Sequence, residues 1–198
     1  MLDGDSLEYE ILEQAASRLF AVPGVTCEIG VRLGGGTKAI IDGLVRSGVY
    51  KHHIGIDPYG DIDKIDGDGV VVRGYTNSMR RTFLRDIYKY CFGKPVDFTL
   101  FTMTDVEFFN RFADGFALYD KNFYLVNSYA LVHYDGPHNV NSILTEVQFF
   151  RLRTPMGGWW VFDDLDLYDH NPVEQTVLEC GFTAEIRGKR KVAYRRVK

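Results

Sequence analysis

The stretch from Val25 to Thr37 limits the fold more than any other part of the chain. An apolar strand at about Val25–Val31 runs into the glycine turn Gly34-Gly35-Gly36, and a helix starts near Thr37. A strand that passes through glycines directly into a helix opens a βαβ unit, whose second strand must lie parallel to the first.

The pattern then repeats along the chain. Before it, Leu12, Ala15, Ala16 and Leu19 stand at i, i+3, i+4 and i+7, which predicts an N-terminal amphipathic helix within residues 1–22 that stops ahead of Pro23-Gly24. After it come a strand at His53–Asp57, a loop at Pro58–Gly69, a helix around Asn77–Phe92 and a strand at Asp97–Met103. A further helix is expected to carry Phe109, Phe112, Ala113 and Phe116 on one face, as core packing. Tyr129–Tyr134 and Trp159–Phe162 are apolar enough for central strands, and Val140, Ile143, Leu144, Val147 and Phe150 mark the helix between them. Asn171-Pro172-Val173-Glu174 has the order of N-cap, first-turn proline and capping-box acid. Strands at Thr183–Arg187 and Val192–Arg196 flank Gly188 as a hairpin. The expected architecture is therefore one α/β domain over 1–198, with an N-terminal helix at 1–22 and a Rossmann-like core over 25–198. Its seven-stranded sheet is mostly parallel, with helices on both faces and a C-terminal antiparallel hairpin.

Composition narrows the class. With 198 residues, 45% of them hydrophobic, the chain can bury one good core. No apolar run is long enough for a membrane span, and Met1-Leu2-Asp3 has no basic stretch ahead of an apolar one, so neither a transmembrane nor a secretory segment is expected. Cys27, Cys91 and Cys180 are scattered and odd in number, which suits a reducing cytoplasm. A net charge of -4 argues against a nonspecific nucleic-acid coat. The basic C-terminal residues Arg187, Lys189, Arg190, Lys191, Arg195, Arg196 and Lys198 are expected to be solvated hairpin charges that discourage edge pairing.

In a doubly wound sheet, ligands bind beyond the carboxyl ends of the strands, where strand order reverses. Glycines there admit a ligand close to the backbone, and the free amides of a helix start favour a carboxylate. A Walker A loop fails because Thr37 precedes Lys38, and the dinucleotide fingerprint fails because Arg32 stands where glycine is needed. Asp57 ends the second strand, where an acid can accept ribose hydroxyls. Asp61, Asp63, Asp66 and Asp68 do not make an EF-hand, since Ile65 holds a ligand position and Asp66 the required glycine. His133 is expected to be a satisfied core residue, and His52, His53 and His170 form no constellation.

Four motifs together carry a resemblance. They are Glu28-Ile29-Gly30 with Gly34-Gly35-Gly36-Thr37, Ile54-Gly55-Ile56-Asp57-Pro58-Tyr59, Val132 to His138, and Gly157 to Asp164. With these the chain resembles class I S-adenosylmethionine-dependent methyltransferases, in particular the metal-dependent macrocin-type sugar O-methyltransferases and, more distantly, catechol O-methyltransferase. The resemblance implies cofactor contacts at Glu28, Gly30, Gly34 and Asp57, with Thr104 and Asp105 near the adenine. It implies metal ligation by Asp135, Asp163 and Asp164, and a general base at His138. Three carboxylates converging at one sheet edge must be protonated or bound to a cation, and oxygen-only ligands favour Mg²⁺, Mn²⁺ or Ca²⁺. Pro137 in a first helical turn would leave His138 among free amides, as a neutral proton acceptor.

The implied activity is methylation of a hydroxyl on a small molecule, a sugar or a phenol. The acceptor would be recognised by the N-terminal helix, the 58–76 loop, the stretch near Tyr119–Asn127, or a partner in a homo-oligomer. The alternatives are a non-catalytic nucleoside-binding protein, or a nucleic-acid methyltransferase tethered by the basic C-terminus. The latter lacks an Asn-Pro-Pro-Tyr-type or catalytic-cysteine motif.

Overall fold

The computed structural model describes residues 2–4, 6–60, 64–65, 71–72, 75–119 and 123–198. In chain order the elements are α1 (Tyr9–Ser17), β1 (Val25–Ile29), α2 (Gly35–Ser47), β2 (Lys51–Ile56), β3 (Lys64–Ile65), β4 (Val71–Val72), α3 (Asn77–Cys91), β5 (Val96–Phe101), α4 (Asp105–Arg111), β6 (Phe116–Tyr119), β7 (Phe123–Val126), β8 (Tyr129–Tyr134), α5 (Val140–Phe150), β9 (Trp159–Phe162), α6 (Asn171–Glu179), β10 (Phe182–Arg187) and β11 (Val192–Arg196). The acidic residues Asp61, Asp63, Asp66 and Asp68 lie outside the described residues. No helix among the described residues is long and apolar enough to cross a membrane.

Seven strands form the main sheet in the order β10-β11-β9-β8-β1-β2-β5. All pairings from β9 through β5 are parallel, and β11 pairs antiparallel with both β9 and β10. Strand order reverses between β1 and β8, which fixes the switch point there. The sheet has helices on both faces, so β1, β8 and β9 are buried along their whole length and read as unbroken apolar runs. Edge strand β10 alternates instead, as a half-covered strand must. One core packs α1, α2 and α3 against the sheet through Leu12, Ile40, Phe83 and Trp159. The other is rich in aromatics and joins α4, α5 and α6 to the opposite face through Phe108, Phe150, Trp160 and Phe162.

Local expectations fail in four places. α4 ends at Arg111, and Phe116 opens the hairpin β6–β7, because Gly115 takes a left-handed turn at φ +102. The aromatic residues still serve as core: Phe101 meets Phe108, Phe112 and Phe116 at ring distances of 5.0, 5.2 and 5.1 Å. That hairpin shares a cleft with Gly24, Val25 and Lys51 at the amino ends of β1 and β2, so Tyr124–Asn127 are remote from the expected site. α5 begins after Asn139, whose side chain accepts from Ser142 N at 3.0 Å, so Pro137 and His138 precede the helix. α6 starts one residue early: His170, not Asn171, is its N-cap, and Asp169 Oδ1 accepts the Asn171 amide at 3.1 Å.

Candidate active site

Beyond the regular ladders, backbone bonds tie the carboxyl ends of the central strands together. Gly30 N donates to Ile56 O at 3.0 Å, Asp135 N to Ile29 O at 3.0 Å, and Asp163 N to Tyr134 O at 3.1 Å. Gly30, Asp57, Asp135 and Asp163 therefore stand along one edge, at the switch point.

Gly30 has φ +83, and a Cβ there would overlap the carbonyl oxygen of Asp135. Gly30→Ala should cost about 2 kcal/mol from the left-handed backbone and the overlap together. A thermal melt unchanged from wild type would refute that placement. Asp57 is fully buried and turns back on the glycine loop, with Oδ2 accepting from Val31 N and Arg32 N, each at 2.9 Å. Tyr59 is packed beside it and donates to Arg32 O. Gly34 is the N-cap of α2 and, among the described residues, no side chain caps its first amides.

Glu28 does not line an open surface. It is sealed beneath the first turn of α2, where a Cβ on Gly36 would overlap its Oε1. Thr37 donates its hydroxyl to Glu28 Oε2, and His133 Nδ1 lies 3.0 Å from Oε1. His53 approaches Oε2 at 3.9 Å and meets Thr26 Oγ1 at 2.9 Å through its other nitrogen. Burial pushes the Glu28 carboxyl up, but hydrogen bonds and charge from His133 and His53 outweigh it and hold the group at about 2. His133 is thus buried as expected, yet it also bridges towards Asp163, with Nε2 3.8 Å from Oδ2. Glu28, His133 and Asp135 each place one ligand-type atom within 4.8 Å of the others. The Glu28–His133 hydrogen bond accounts for two of these three, and Asp135 stands beside them.

The three aspartates do converge, and two of them carry a cation from the same chain. Lys191, fully buried, sets its ammonium on Asp163 Oδ2 and donates to Ser6 Oγ at 2.6 Å. Ser6 Oγ in turn donates to Asp163 Oδ1 at 2.9 Å, which also accepts Asp164 N at 2.7 Å. Arg190 pairs with Asp164 Oδ1, and reaches Asp166 at 2.9 Å. Burial would raise the Asp163 carboxyl, but His133, Lys191 and Ser6 bring it below its ordinary range. Asp135 and Asp164 go the other way, raised by burial and by the neighbouring negative charge of Asp163. His138 sits at the rim, 39% exposed, with Nδ1 3.4 Å from Asp164 Oδ2.

The expectation of solvated C-terminal charges is corrected for Arg190 and Lys191, while Arg187, Lys189, Arg195 and Lys198 are exposed. Arg187 pairs with Glu174, Arg195 with Glu185, and Arg190 and Lys191 with the aspartate cluster. Thr104 is the N-cap of α4, accepting from Glu107 N at 3.1 Å, and Asp105 opens that helix beside the buried Glu146. Burial, reinforced by the charge of Asp105, raises Glu146 well above the usual carboxylate range. The N-terminal segment also reaches the site through Ser6 and through Tyr9, whose hydroxyl burial and nearby carboxylates push up to about 12. A cleft of about 650 Å³ near Arg153, Met156 and Arg196 lies at the amino ends of the strands, away from this cluster.

No protein-family model matches the chain, and no curated protein matches it closely. Solved structures do. The O-methyltransferase NovP is similar at TM-score 0.64 and 16% identity, over 96% of this chain and 79% of that one. Calicheamicin methyltransferase CalS11 is similar at TM-score 0.65 and 15% identity, over 94% of this chain and 77% of that one. A methyltransferase of Podospora anserina, PaMTH1, bound to S-adenosylhomocysteine, is similar at TM-score 0.52 and 12% identity, over 96% and 77%. The chain has the fold of class I methyltransferases.

Proposed function

We propose that the chain is an S-adenosylmethionine-dependent O-methyltransferase acting on a hydroxyl of a small molecule of the sugar or phenol class. The observation that carries this reading is the acid and histidine cluster beside the glycine turn, at the switch point of a methyltransferase-type sheet. The cofactor fits the residues present. The uncapped amides at the start of α2 suit its carboxylate, Asp57 suits the ribose, and the resemblance assigns Thr104 and Asp105, at the start of α4, to the adenine. Glu28 supports the loop from beneath without touching a ligand. When bound, the cofactor supplies an electrophilic methyl group on its sulfonium.

His138 would receive the proton of the acceptor hydroxyl as that oxygen takes up the methyl group. Asp164 faces its Nδ1 and leaves Nε2 for the acceptor. No covalent enzyme intermediate is needed. The divalent ion implied by the resemblance does not fit the donor set as it stands, since both oxygens of Asp163 are engaged and Lys191 already supplies positive charge. The paired C-terminal basic residues also leave little for a nucleic-acid tether.

Asp57→Asn keeps an oxygen for the loop amides and removes the anion. It should weaken S-adenosylhomocysteine binding by about 1.5–3 kcal/mol, the worth of hydrogen bonds to a charged group, while the melting temperature barely moves. Equal affinities by calorimetry would remove Asp57 from the cofactor site.

A further inference from the structure

We propose that Lys191 is an internal cation standing where the divalent ion would be, so that methyl transfer by this chain is independent of metal. The inference rests on the methyltransferase reading above and adds to it how the aspartate cluster is neutralised.

The position of Lys191 follows from sheet register. Val192 pairs antiparallel with Phe162, which places residue 191 across from residue 163. The turn that presents it is locked by Glu8, whose carboxylate accepts the amides of Lys189, Arg190 and Lys191 at 2.8, 2.9 and 3.1 Å. Leu165 N donates to Arg190 O at 3.0 Å and binds the same turn to the aspartate loop. An ammonium this deeply buried needs an anion beside it, and Asp163 is that anion. Ser6 bridges Nζ and the far oxygen of the same carboxylate, closing a ring of three groups. A divalent ion on Asp163 would face the Lys191 charge at contact distance and would have to displace both Lys191 and Ser6. Arg190 does the corresponding work on Asp164. Lys191 is a positioning residue: it is sealed from solvent, holds Asp163, and so leaves the neighbouring Asp164 and His138 in place at the rim.

The test is direct binding of Mn²⁺ to the purified chain, followed by electron paramagnetic resonance. Wild type should show no stoichiometric Mn²⁺ site at millimolar metal, and its S-adenosylhomocysteine affinity should be the same with and without chelator. Lys191→Met frees the Asp163 carboxylate beside Asp135 and Asp164 and should gain Mn²⁺ affinity at least tenfold. The double variant with Asp163→Asn should lose that gain. A stoichiometric wild-type Mn²⁺ site abolished by Asp163→Asn overturns the proposal, as does a folded Lys191→Met that gains nothing. If Lys191→Met does not fold, the wild-type titration decides alone. Failure of S-adenosylhomocysteine to bind at all would sink the methyltransferase reading instead, and the Mn²⁺ titration would still report on Lys191.

Discussion

Glu28→Gln should lower the stability of the chain by about 3 kcal/mol at neutral pH. The figure converts the fall of the Glu28 carboxyl from its ordinary 4.5 to about 2 in the folded chain. A folded-state pKa below the unfolded one contributes stability that is complete above pH 4.5 and is lost as pH falls towards about 2. Wild type should therefore become less resistant to urea across that acid window, and the glutamine variant should lack this part of the slope. The glutamine side chain preserves volume, so the loss measures charge, not packing. Because Thr37 and His133 both bond to this carboxylate, the first turn of α2 should loosen and S-adenosylhomocysteine binding should weaken alongside. Matching urea midpoints at neutral pH would show that the two histidines leave Glu28 no more stable folded than free.

This network also marks the limit of what the sequence discloses. The β1 strand, its glycine turn and α2 are legible because their signals are local and contiguous: an apolar run, glycines, then helical spacing. β8 and β9 are equally plain, since a strand covered on both faces must be apolar throughout. The hairpin β6–β7 is not, because Phe109, Phe112 and Phe116 also satisfy a helical period and only Gly115 breaks it. The helix starts after Asn139 and not around Pro137, because the Asn139 side chain accepts the Ser142 amide as N-cap. Asp135, Asp163 and Asp164 could be named from strand ends alone. Their counter-charges could not. Lys191 lies 28 positions from Asp163, in a basic run whose ordinary fate is solvation, and only the antiparallel register of β11 on β9 brings the two together. The role of His53 is hidden for the same reason, since its partners Glu28 and Thr26 lie on another strand.

His138→Ala should lower kcat by about 10²–10⁴, the usual worth of a positioned general base. If, as proposed, Lys191 stands in for a divalent ion and His138 is the base, the loss should lie towards the upper end of that range. S-adenosylhomocysteine affinity should not change, because the glycine turn and Asp57 are held by contacts that exclude His138. Asp164→Asn should lose less, since it disturbs only the group facing Nδ1 while leaving the imidazole to accept the proton. Added imidazole should restore part of the turnover of His138→Ala, because a small base can enter the space left at the exposed rim. Hydroxylated sugars and catechols are the acceptors on which turnover is first to be sought. An active acceptor on which His138→Ala keeps near-wild-type kcat would assign the proton to another group, and the histidine would then be only the residue before an N-cap.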